Sequence, residues 1–188
     1  MTIPELSTSR LFLRAFSTAD RPAFASMNAD AEVMQYMSRR LDRTQSDSFV
    51  DRIQAHWEAD GFGIWALERL DDGTFIGFAG LSEPAFRAPF GPAIEVGWRL
   101  ARAAWGHGFA TEAGAAALRF GFEVLDRDEI VSFTAAGNLR SRRVMERLGM
   151  THDTADDFDY PLVAPEHPVR RQVLYRLPRS RWLASTTG

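Results

Sequence analysis

The sequence contains no cysteine and no lysine, so all 22 of its basic residues are arginine. Without cysteine the chain cannot form a disulfide, an iron–sulfur cluster or a cysteine-ligated zinc site, and it has no thiol nucleophile. Without lysine it has neither a Schiff-base amine nor the phosphate-binding lysine of a Walker-type loop. Its four histidines stand apart in the sequence, and none has the spacing of a helical zinc site. We therefore expect no metal.

The sequence also has no large excess of one charge and no long apolar run. The 22 basic and 25 acidic residues leave a net charge of −3 at pH 7, which gives no general attraction to nucleic acid or to an anionic membrane. No apolar run approaches the roughly 20 residues of a membrane-spanning helix, and the opening residues lack the pattern of a secretory signal. We therefore expect a cytoplasmic protein without a nucleic-acid or membrane partner.

The 188 residues are 45% hydrophobic and 25% charged, which is typical of globular proteins. Helices are expected at about residues 21–28, 31–37, 45–59, 111–124 and 138–148, and strands at 11–16, 63–69, 75–81, 94–100, 129–134 and 173–177. In the strand at 94–100 the apolar side chains share one face, whereas Glu95, Gly97 and Arg99 share the other. This order predicts an α/β fold, a single domain over residues 1–188 around one mixed sheet.

A turn rich in glycine joins the strand at 94–100 to the helix at 111–124. Its sequence is Trp105-Gly-His-Gly-Phe-Ala-Thr. Glycine lets the backbone turn tightly, and the N-terminus of the following helix attracts phosphate. The turn therefore suits either a pyrophosphate ligand or a purely structural connection. The third glycine of a dinucleotide-binding turn is absent, because Thr111 stands in its place.

A second segment, Asn138-Leu-Arg-Ser-Arg-Arg-Val-Met-Glu-Arg-Leu-Gly, is expected to form a short helix. Asn138 suits its N-cap, and Gly149 suits a left-handed residue at its end. The arginines of this segment form either a solvated face or a set of counter-charges for a phosphate-rich ligand, since arginine binds phosphate bidentately. They are Arg140, Arg142, Arg143 and Arg147.

The two segments together resemble the GNAT N-acetyltransferase superfamily, and in particular its ribosomal-protein N-terminal acetyltransferases. The resemblance rests on the glycine turn, on Asn138-x-x-Ser141 followed by Glu146-Arg-Leu-Gly-Met, and on the opening Thr8-Ser-Arg-Leu-Phe-Leu-Arg. It covers a core of about residues 8–178. It implies a mostly antiparallel sheet, flanked by helices, whose central strands splay apart into a V-shaped slot.

The resemblance also implies acetyl-CoA as the cosubstrate. The family's pyrophosphate-binding pattern falls on residues 105–110, the preceding strand would pair with the pantetheine arm, Asn138 would contact the pantetheine, and Arg142 or Arg143 would reach a phosphate. The implied acetyl-CoA contacts are Val96, Gly97, Trp98, Leu100, Trp105, Gly106, His107, Gly108, Phe109, Ala110, Thr111, Asn138, Ser141 and Arg143.

Acetyl transfer to an amine needs a base for the amine, a donor that polarises the thioester carbonyl, and an acid for the departing thiolate. The resemblance assigns the polarising donor to a backbone N–H on a bulged strand near Val96 or Gly97. It assigns the acid to Ser141, because the tyrosine that many members use is absent, and the base to Glu95. The alternative for Glu95 is an ion pair with Arg99.

A second set of candidate bases lies in the loop at residues 154–168. It comprises Asp157, Asp159 and His167. This loop is acidic and long enough to line an acceptor pocket, where it would favour a cationic acceptor. Its alternative interpretation is a solvated acidic loop.

Three functions remain open from the sequence. The first is an N-acetyltransferase that acts on a primary amine, either a protein or peptide N-terminus or a small-molecule amine, by direct transfer in a ternary complex. The second is a catalytically silent acetyl-CoA-binding sensor of the same fold, and the third is a dinucleotide-dependent oxidoreductase. The acceptor amine and the oligomeric state, monomer or homodimer, are also open.

Overall fold

The computed structural model describes residues 2–186, which form one sheet with helices on both faces. The strands are β1 (Leu6–Ser7), β2 (Leu11–Arg14), β3 (Ile64–Arg69), β4 (Phe75–Ser82), β5 (Ile94–Leu100), β6 (Glu129–Ala135), β7 (Thr151–His152), β8 (Phe158–Asp159) and β9 (Arg171–Pro178). The α-helices are α1 (Arg21–Ala29), α2 (Arg43–Asp60), α3 (Phe109–Glu123), α4 (Leu139–Arg147) and α5 (Arg179–Thr186). Short 3-10 helices lie at Thr18–Asp20, Arg102–Ala104 and Thr154–Asp156.

The sheet is mixed but almost entirely antiparallel. Its strand order is β1-β2-β3-β4-β5-β6-β9-β7, and β8 also pairs with β9. Among the strands described, only β5 and β6 run parallel, because α3 crosses from the end of β5 back to the start of β6, as a parallel pair requires. The predicted α/β fold with a mostly antiparallel sheet is confirmed.

Strands β5 and β6 part soon after they begin. They pair only at Ile94 with Ile130 and at Glu95 with Val131, whereas β4 and β5 pair along almost their whole length. Beyond Val96, the edge of β5 that faces β6 has no strand partner within residues 2–186. The V-shaped slot that the resemblance implies is therefore present, and Glu95 lies at its narrow end.

Helices cover the two faces of the sheet differently. On one face α3 packs against β5, and a Cβ at Gly114 would lie 3.6 Å from the Trp98 ring. On the other face α1 and α2 place Phe24 and Phe49 against Phe78, with ring centroids 6.0 Å apart in both pairs. Paired residues on neighbouring strands share a face, and Phe78 pairs with the residue at position 99. Residues 95, 97 and 99 therefore lie on the α1–α2 face.

A group of aromatic side chains covers the same face at its β6–β9 end. We call it the aromatic cluster; it comprises Phe86, Phe90, Phe133, Phe158 and Tyr160, packed against Val131 and Leu174. The rings of Phe86 and Tyr160 lie 5.1 Å apart between centroids. Since β5 lies between β4 and β6, its polar face is bordered by α1 and α2 on one side and by the aromatic cluster on the other.

The helix ends follow their sequence signals. Asp42 accepts a hydrogen bond from the backbone N–H of Gln45 at 2.8 Å, and the Gln45 side chain accepts one from the Asp42 N–H at 3.2 Å. This capping box starts α2 two residues before the predicted position. Gly61 ends α2 with a φ of 73°, and Gly149 follows α4 with a φ of 80°, both as predicted.

One predicted helix is wrong: residues 31–37 form successive turns, which we call the 31–37 turn. Met34 donates to the Asp30 carbonyl in the helical pattern, but Met37 donates only three residues back, to Met34. A helix this short is marginal in water, and here the chain returns instead, with Leu41 N–H bound to the Asn28 carbonyl at 3.0 Å. Strands β1, β7 and β8 were not predicted, because two-residue strands carry no periodicity. Helix α5 was not predicted either.

Candidate active site

The glycine turn bends as the sequence predicts. Gly106 and Gly108 have φ values of 81° and 82°, in the left-handed region that glycine adopts at no steric cost. Gly108 is the N-cap of α3. The first N–H groups of a helix have no acceptor within the helix, so those of Phe109, Ala110 and Thr111 present a partial positive charge at the turn.

Thr111 gives an independent sign of a ligand. Its Oγ1 is buried and has no hydrogen-bond partner in the described part of the chain, although buried hydroxyl groups normally have one. Thr111 also lines the cavity described below. A phosphate oxygen held at the N-terminus of α3 would give this hydroxyl an acceptor. The residues present therefore fit the pyrophosphate of acetyl-CoA.

The segment before β2 holds the glycine turn in place. Glu112 accepts hydrogen bonds from Thr8 Oγ1 at 2.6 Å, from the Arg10 N–H at 2.9 Å and from Arg10 Nε at 2.7 Å. Arg10 also donates to the His107 carbonyl at 2.9 Å and lies 4.8 Å above the Phe109 ring. The sequence did not indicate this contact, because more than 90 residues separate the partners.

Replacing Glu112 with glutamine is expected to lower the free energy of unfolding at pH 7 by about 2 kcal/mol, since it removes hydrogen bonds to a charged acceptor. Burial opposes ionisation of this carboxyl, but the hydrogen bonds from Thr8 and Arg10 outweigh it and hold its pKa below the usual range. This stabilisation is present above pH 4.5 and is lost as the pH falls, so the difference should shrink below about pH 4. Chemical denaturation of the wild type and of the variant, at pH 7 and below about pH 4, measures this difference in the free energy of unfolding. Equal losses in Glu123→Gln, which changes an exposed residue of α3, would contradict the prediction.

A cavity of about 360 Å³ lies between the glycine turn, the free part of β5 and α4. Most of the predicted acetyl-CoA contacts line it: Trp98, Leu100, Trp105, Gly106, Gly108, Phe109, Ala110, Thr111, Asn138, Ser141 and Arg143. Val96, Gly97, His107 and Glu95 are not among its lining residues. Val96 is fully buried, His107 is exposed, and Glu95 and Gly97 lie on the α1–α2 face of β5.

The free edge of β5 presents backbone groups to the slot. The Ala101 N–H donates to the Ile76 carbonyl of β4. Along a strand the N–H groups of successive residues point to opposite sides. The N–H groups of Val96 and Trp98 therefore point toward β6 and the slot. The parallel pairing of Glu95 with Val131 uses the Val96 N–H as the donor to the Val131 carbonyl, so Trp98 is the first free donor along. The carbonyl of Leu100 is already bound by Trp105 Nε1 at 2.9 Å.

The expected bulge in β5 is wrong. The pairing of β4 with β5 runs from Gly77–Leu100 to Ser82–Glu95 without a register shift, and the shift in this part of the sheet lies between β3 and β4 instead. By the same alternation, the Gly97 N–H points to β4 rather than to the slot. The free donors arise because β6 turns away, not because β5 is distorted.

Helix α4 brings the second motif to the cavity. Asn138 accepts from the Ser141 N–H at 3.3 Å and donates to Thr134 Oγ1 at 2.9 Å, so it is the N-cap of α4 as well as a lining residue. The Ser141 hydroxyl has no hydrogen-bond partner among residues 2–186, and Ser141 lines the cavity. Arg140 lies 4.3 Å above the Trp105 ring, and Arg143 and Arg147 also line the cavity.

Arg142 differs from its expected role at a phosphate. It donates to Tyr175 Oη and to the Ala136 carbonyl, each at 3.2 Å, and it is absent from the cavity lining. Arg142 and Arg143 point to different sides of α4, because consecutive residues of a helix do not share a face. Of the two, Arg143 is therefore the one that reaches the cavity.

Glu95 is the most perturbed carboxyl group of the site. The residue is partly buried, and burial raises its pKa to about 8. It forms no ion pair with Arg99, nor any hydrogen bond with a described residue. Its Oε1 leans over Gly97, where it is the only neighbour within 4 Å of the place that a Cβ would occupy. Val131, which pairs with Glu95, packs in the aromatic cluster, so the cluster lies beside this carboxyl. Burial and the nearby charge of Glu95 both raise the pKa of Tyr160.

The three loop residues proposed as alternative bases are occupied elsewhere, and none lines the cavity. Asp157 lies 2.7 Å from His152 Nε2. Asp159 forms ion pairs with Arg170 and with its neighbour at 171. His167 accepts from the Val169 N–H at 3.3 Å, within its own turn. These three side chains are therefore engaged away from the cavity, whereas Phe158 and Tyr160 of the same loop belong to the aromatic cluster.

The residues that line the cavity on the α1–α2 face were not predicted from the sequence. The 31–37 turn contributes Glu32, Val33, Tyr36 and Met37, and β5 contributes Arg99. Tyr36 reaches across the slot, since a Cβ at Gly137, just after β6, would lie 3.6 Å from Tyr36 Cε1. No motif marks these residues. The one available signal was that Arg99 shares a face with Glu95.

Residues 2–186 contain neither a cluster of metal-ligating side chains nor a membrane-spanning helix. No group of three or more histidine or acidic side chains there forms a metal site. None of the helices α1 to α5 is both long enough and apolar enough to cross a membrane.

Comparison with known proteins agrees with this geometry. The model of the acetyltransferase (GNAT) domain matches residues 10–151. The uncharacterized protein YkkB of Bacillus subtilis is 31% identical over 147 residues, which is 78% of this chain and 84% of YkkB. The FsC-acetyl coenzyme A-N(2)-transacetylase of Aspergillus fumigatus is 29% identical over 193 aligned positions, covering 96% of this chain and 78% of that one.

Solved structures agree as well. The crystal structure of an acetyltransferase from Agrobacterium tumefaciens aligns with a TM-score of 0.76 at 29% identity and covers 94% of this chain and 95% of its own. The domain match includes the glycine turn, the slot and α4, and it spans well over half of the sequence. This chain therefore belongs to the GNAT acetyltransferase family and is an acyltransferase.

Proposed function

We propose that this protein transfers the acetyl group of acetyl-CoA to a primary amine, by direct transfer in a ternary complex, with Glu95 as the general base. One observation carries the proposal. Glu95 is a desolvated carboxyl without a hydrogen-bond partner in the described chain, and it lies where β5 and β6 part. A base in this place can meet an amine that enters from the α1–α2 face.

The cavity would hold acetyl-CoA from its phosphates to its thioester. The N–H groups at the start of α3 and the Thr111 hydroxyl would bind the pyrophosphate. Arg143 and Arg147 line the cavity and would pair with phosphate oxygens. The free backbone edge of β5 would bind the pantetheine amides, as a neighbouring strand would.

The chain's own groups would then move the protons. When bound, acetyl-CoA supplies an activated thioester. Glu95 takes a proton from the amine, whose nitrogen bonds to the carbonyl carbon as the carbon–sulfur bond breaks. The N–H group of Trp98, the first donor of β5 beyond the paired positions, polarises the carbonyl oxygen. Ser141 gives its hydroxyl proton to the departing sulfur and recovers a proton from solvent.

The acceptor amine is proposed to be a protein or peptide N-terminus or a small-molecule amine. The opening Thr8-Ser-Arg-Leu-Phe-Leu-Arg and the hydroxyl at Ser141 support the ribosomal-protein branch of the family. The aspartates of the acidic loop give no support to a cationic acceptor, because Asp156, Asp157 and Asp159 each have an arginine or histidine partner. An α-amine, with a pKa near 8, loses its proton more readily than a lysine side chain near 10.4.

Acetyl-CoA turnover tests the proposed function. Purified protein is expected to bind acetyl-CoA with a saturable rise in melting temperature, and to release free thiol with at least one amine from a panel of peptides, amino acids and polyamines. Thiol release is measured colorimetrically, and the acetylated product by mass spectrometry. Binding without release from any amine would instead support the acetyl-CoA-binding sensor.

A further inference from the structure

Arg99 is a charged side chain of the cavity without a carboxylate partner. It donates to Asn28 Oδ1 at 2.7 Å and to Met37 Sδ at 3.0 Å, both neutral acceptors. No acidic oxygen in residues 2–186 lies within ion-pair distance of it. The only acidic residue among the cavity lining, Glu32, is paired with Arg102 at 2.6 Å. The guanidinium therefore faces the cavity as an uncompensated positive charge.

This charge is held in place by the protein. Its guanidinium lies 5.2 Å from the Phe78 ring centroid and 5.9 Å from that of Phe49, and these ring faces attract a cation. Burial lowers the pKa of Arg99 to about 10, so it remains charged at neutral pH. A buried charge is costly unless it is paired, and this arrangement leaves the pairing to a ligand.

The position of Arg99 indicates which ligand. It lies on the α1–α2 face with Glu95 and Gly97, whereas Trp98 faces α3 on the opposite side of the strand. The Cα atoms of Glu95 and Arg99 are separated by roughly 13 Å along β5, and Gly97 between them leaves the surface open. An amine beside Glu95 can therefore extend along this face toward the guanidinium.

We propose that Arg99 binds a carboxylate of the acceptor, so that the acceptor class is an amine that also carries a carboxylate, such as a short peptide with a free C-terminus or an ω-amino acid. This inference rests on the proposed function. It also disfavours polyamines, because a second ammonium group would meet the positive charge of Arg99 in a poorly solvated channel.

Matched acceptor pairs test the inference. Each pair differs only in the carboxylate: a dipeptide and its C-terminal amide, and 6-aminohexanoate and its amide. The wild-type protein is expected to favour the acid of each pair by about 10- to 100-fold in kcat/KM, the value of a charge-assisted hydrogen bond. Arg99→Gln should bring the ratio of acid to amide close to one, and Arg99→Lys should keep part of the preference. Arg119→Gln, an exposed change on α3, is the control.

Each other result overturns the inference in a recognisable way. If the wild-type protein acetylates the amides as well as the acids, or only polyamines, the carboxylate site is wrong while the proposed function stands. If Arg99→Gln keeps the preference but raises KM for acetyl-CoA, the guanidinium binds a CoA phosphate instead. If no amine releases thiol, the proposed function fails with it. The wild-type ratio needs no variant, so misfolding of Arg99→Gln leaves the test intact.

Discussion

Replacing Glu95 with glutamine is expected to lower kcat/KM for every accepted amine by about 10²- to 10⁴-fold, the usual contribution of a general base. Glutamine has nearly the same shape but cannot take a proton. The dissociation constant for acetyl-CoA should stay unchanged, because Glu95 is not part of the cavity lining. Steady-state kinetics and calorimetric titration measure the two quantities, and Glu58→Gln, at an exposed position of α2, is the matched control.

The pH dependence identifies the group that acts. Burial raises the pKa of Glu95 to about 8, so below that pH the carboxyl is protonated and cannot accept a proton. The wild-type kcat/KM should therefore rise with pH and level off above about 8, and it should do so for amines of different pKa. In Glu95→Gln this rise of kcat/KM with pH should be absent. If the pH at which kcat/KM rises instead follows the pKa of the amine, the rise reports ionisation of the acceptor, and this would contradict the role of Glu95.

The same variant separates loss of the base from loss of the fold. A carboxyl whose pKa is higher in the folded state than in the unfolded state destabilises the fold at high pH. Folding then either buries a charge or forces the group to take up a proton. The full displacement from 4.5 to about 8 corresponds to about 5 kcal/mol. Glu95 remains partly accessible, so we expect Glu95→Gln to be on the order of 3 kcal/mol more stable than wild type at pH 9 and equal to it below pH 4.5. An inactive variant that is less stable at pH 9 would point to misfolding.

Local patterns in the sequence were enough for most of the fold. The alternation in residues 94–100 and the glycines at 106 and 108 predicted β5, the turn and α3, because these signals act within a few residues of one another. The 31–37 turn was predicted as a helix from the same kind of pattern. Its course is decided by the chain returning at Leu41 to Asn28, which no periodicity within seven residues can express.

The candidate site was harder to predict where it depends on distant partners. Arg99 was considered as an ion-pair partner of Glu95, since the two residues share a face four positions apart. Residues four positions apart have neighbouring side chains on a helix, but on a strand their Cα atoms are roughly 13 Å apart. In the structure Arg99 instead donates hydrogen bonds to Asn28 and Met37. Asp157 was considered as a base, yet His152 already engages it. Such pairings follow from tertiary packing, which a single sequence does not reveal.

Replacing Gly97 with valine is expected to lower kcat/KM for the acceptor by at least about 100-fold while the protein stays folded and binds acetyl-CoA. Apart from its chain neighbours, a Cβ at this position would meet only Glu95 Oε1, at 3.9 Å. The methyl groups of valine would extend into the space where an amine approaches Glu95, and a displacement of about 1 Å in a reacting pair can cost this much. Valine also suits a strand, so the melting temperature should be unchanged or higher.

Gly80, paired with Gly97 on the neighbouring strand, is the matched control because the same substitution there has the opposite outcome. A Cβ at Gly80 would lie 2.4 Å from the Gly63 carbonyl oxygen and 2.5 Å from Ile64 Cα, which are backbone atoms that cannot move aside. Gly80→Val is therefore expected to unfold the domain, whereas Gly97→Val removes only acceptor turnover. Full activity of Gly97→Val would mean that the amine does not approach across this face of β5, and it would remove the geometric basis for Glu95 as the base.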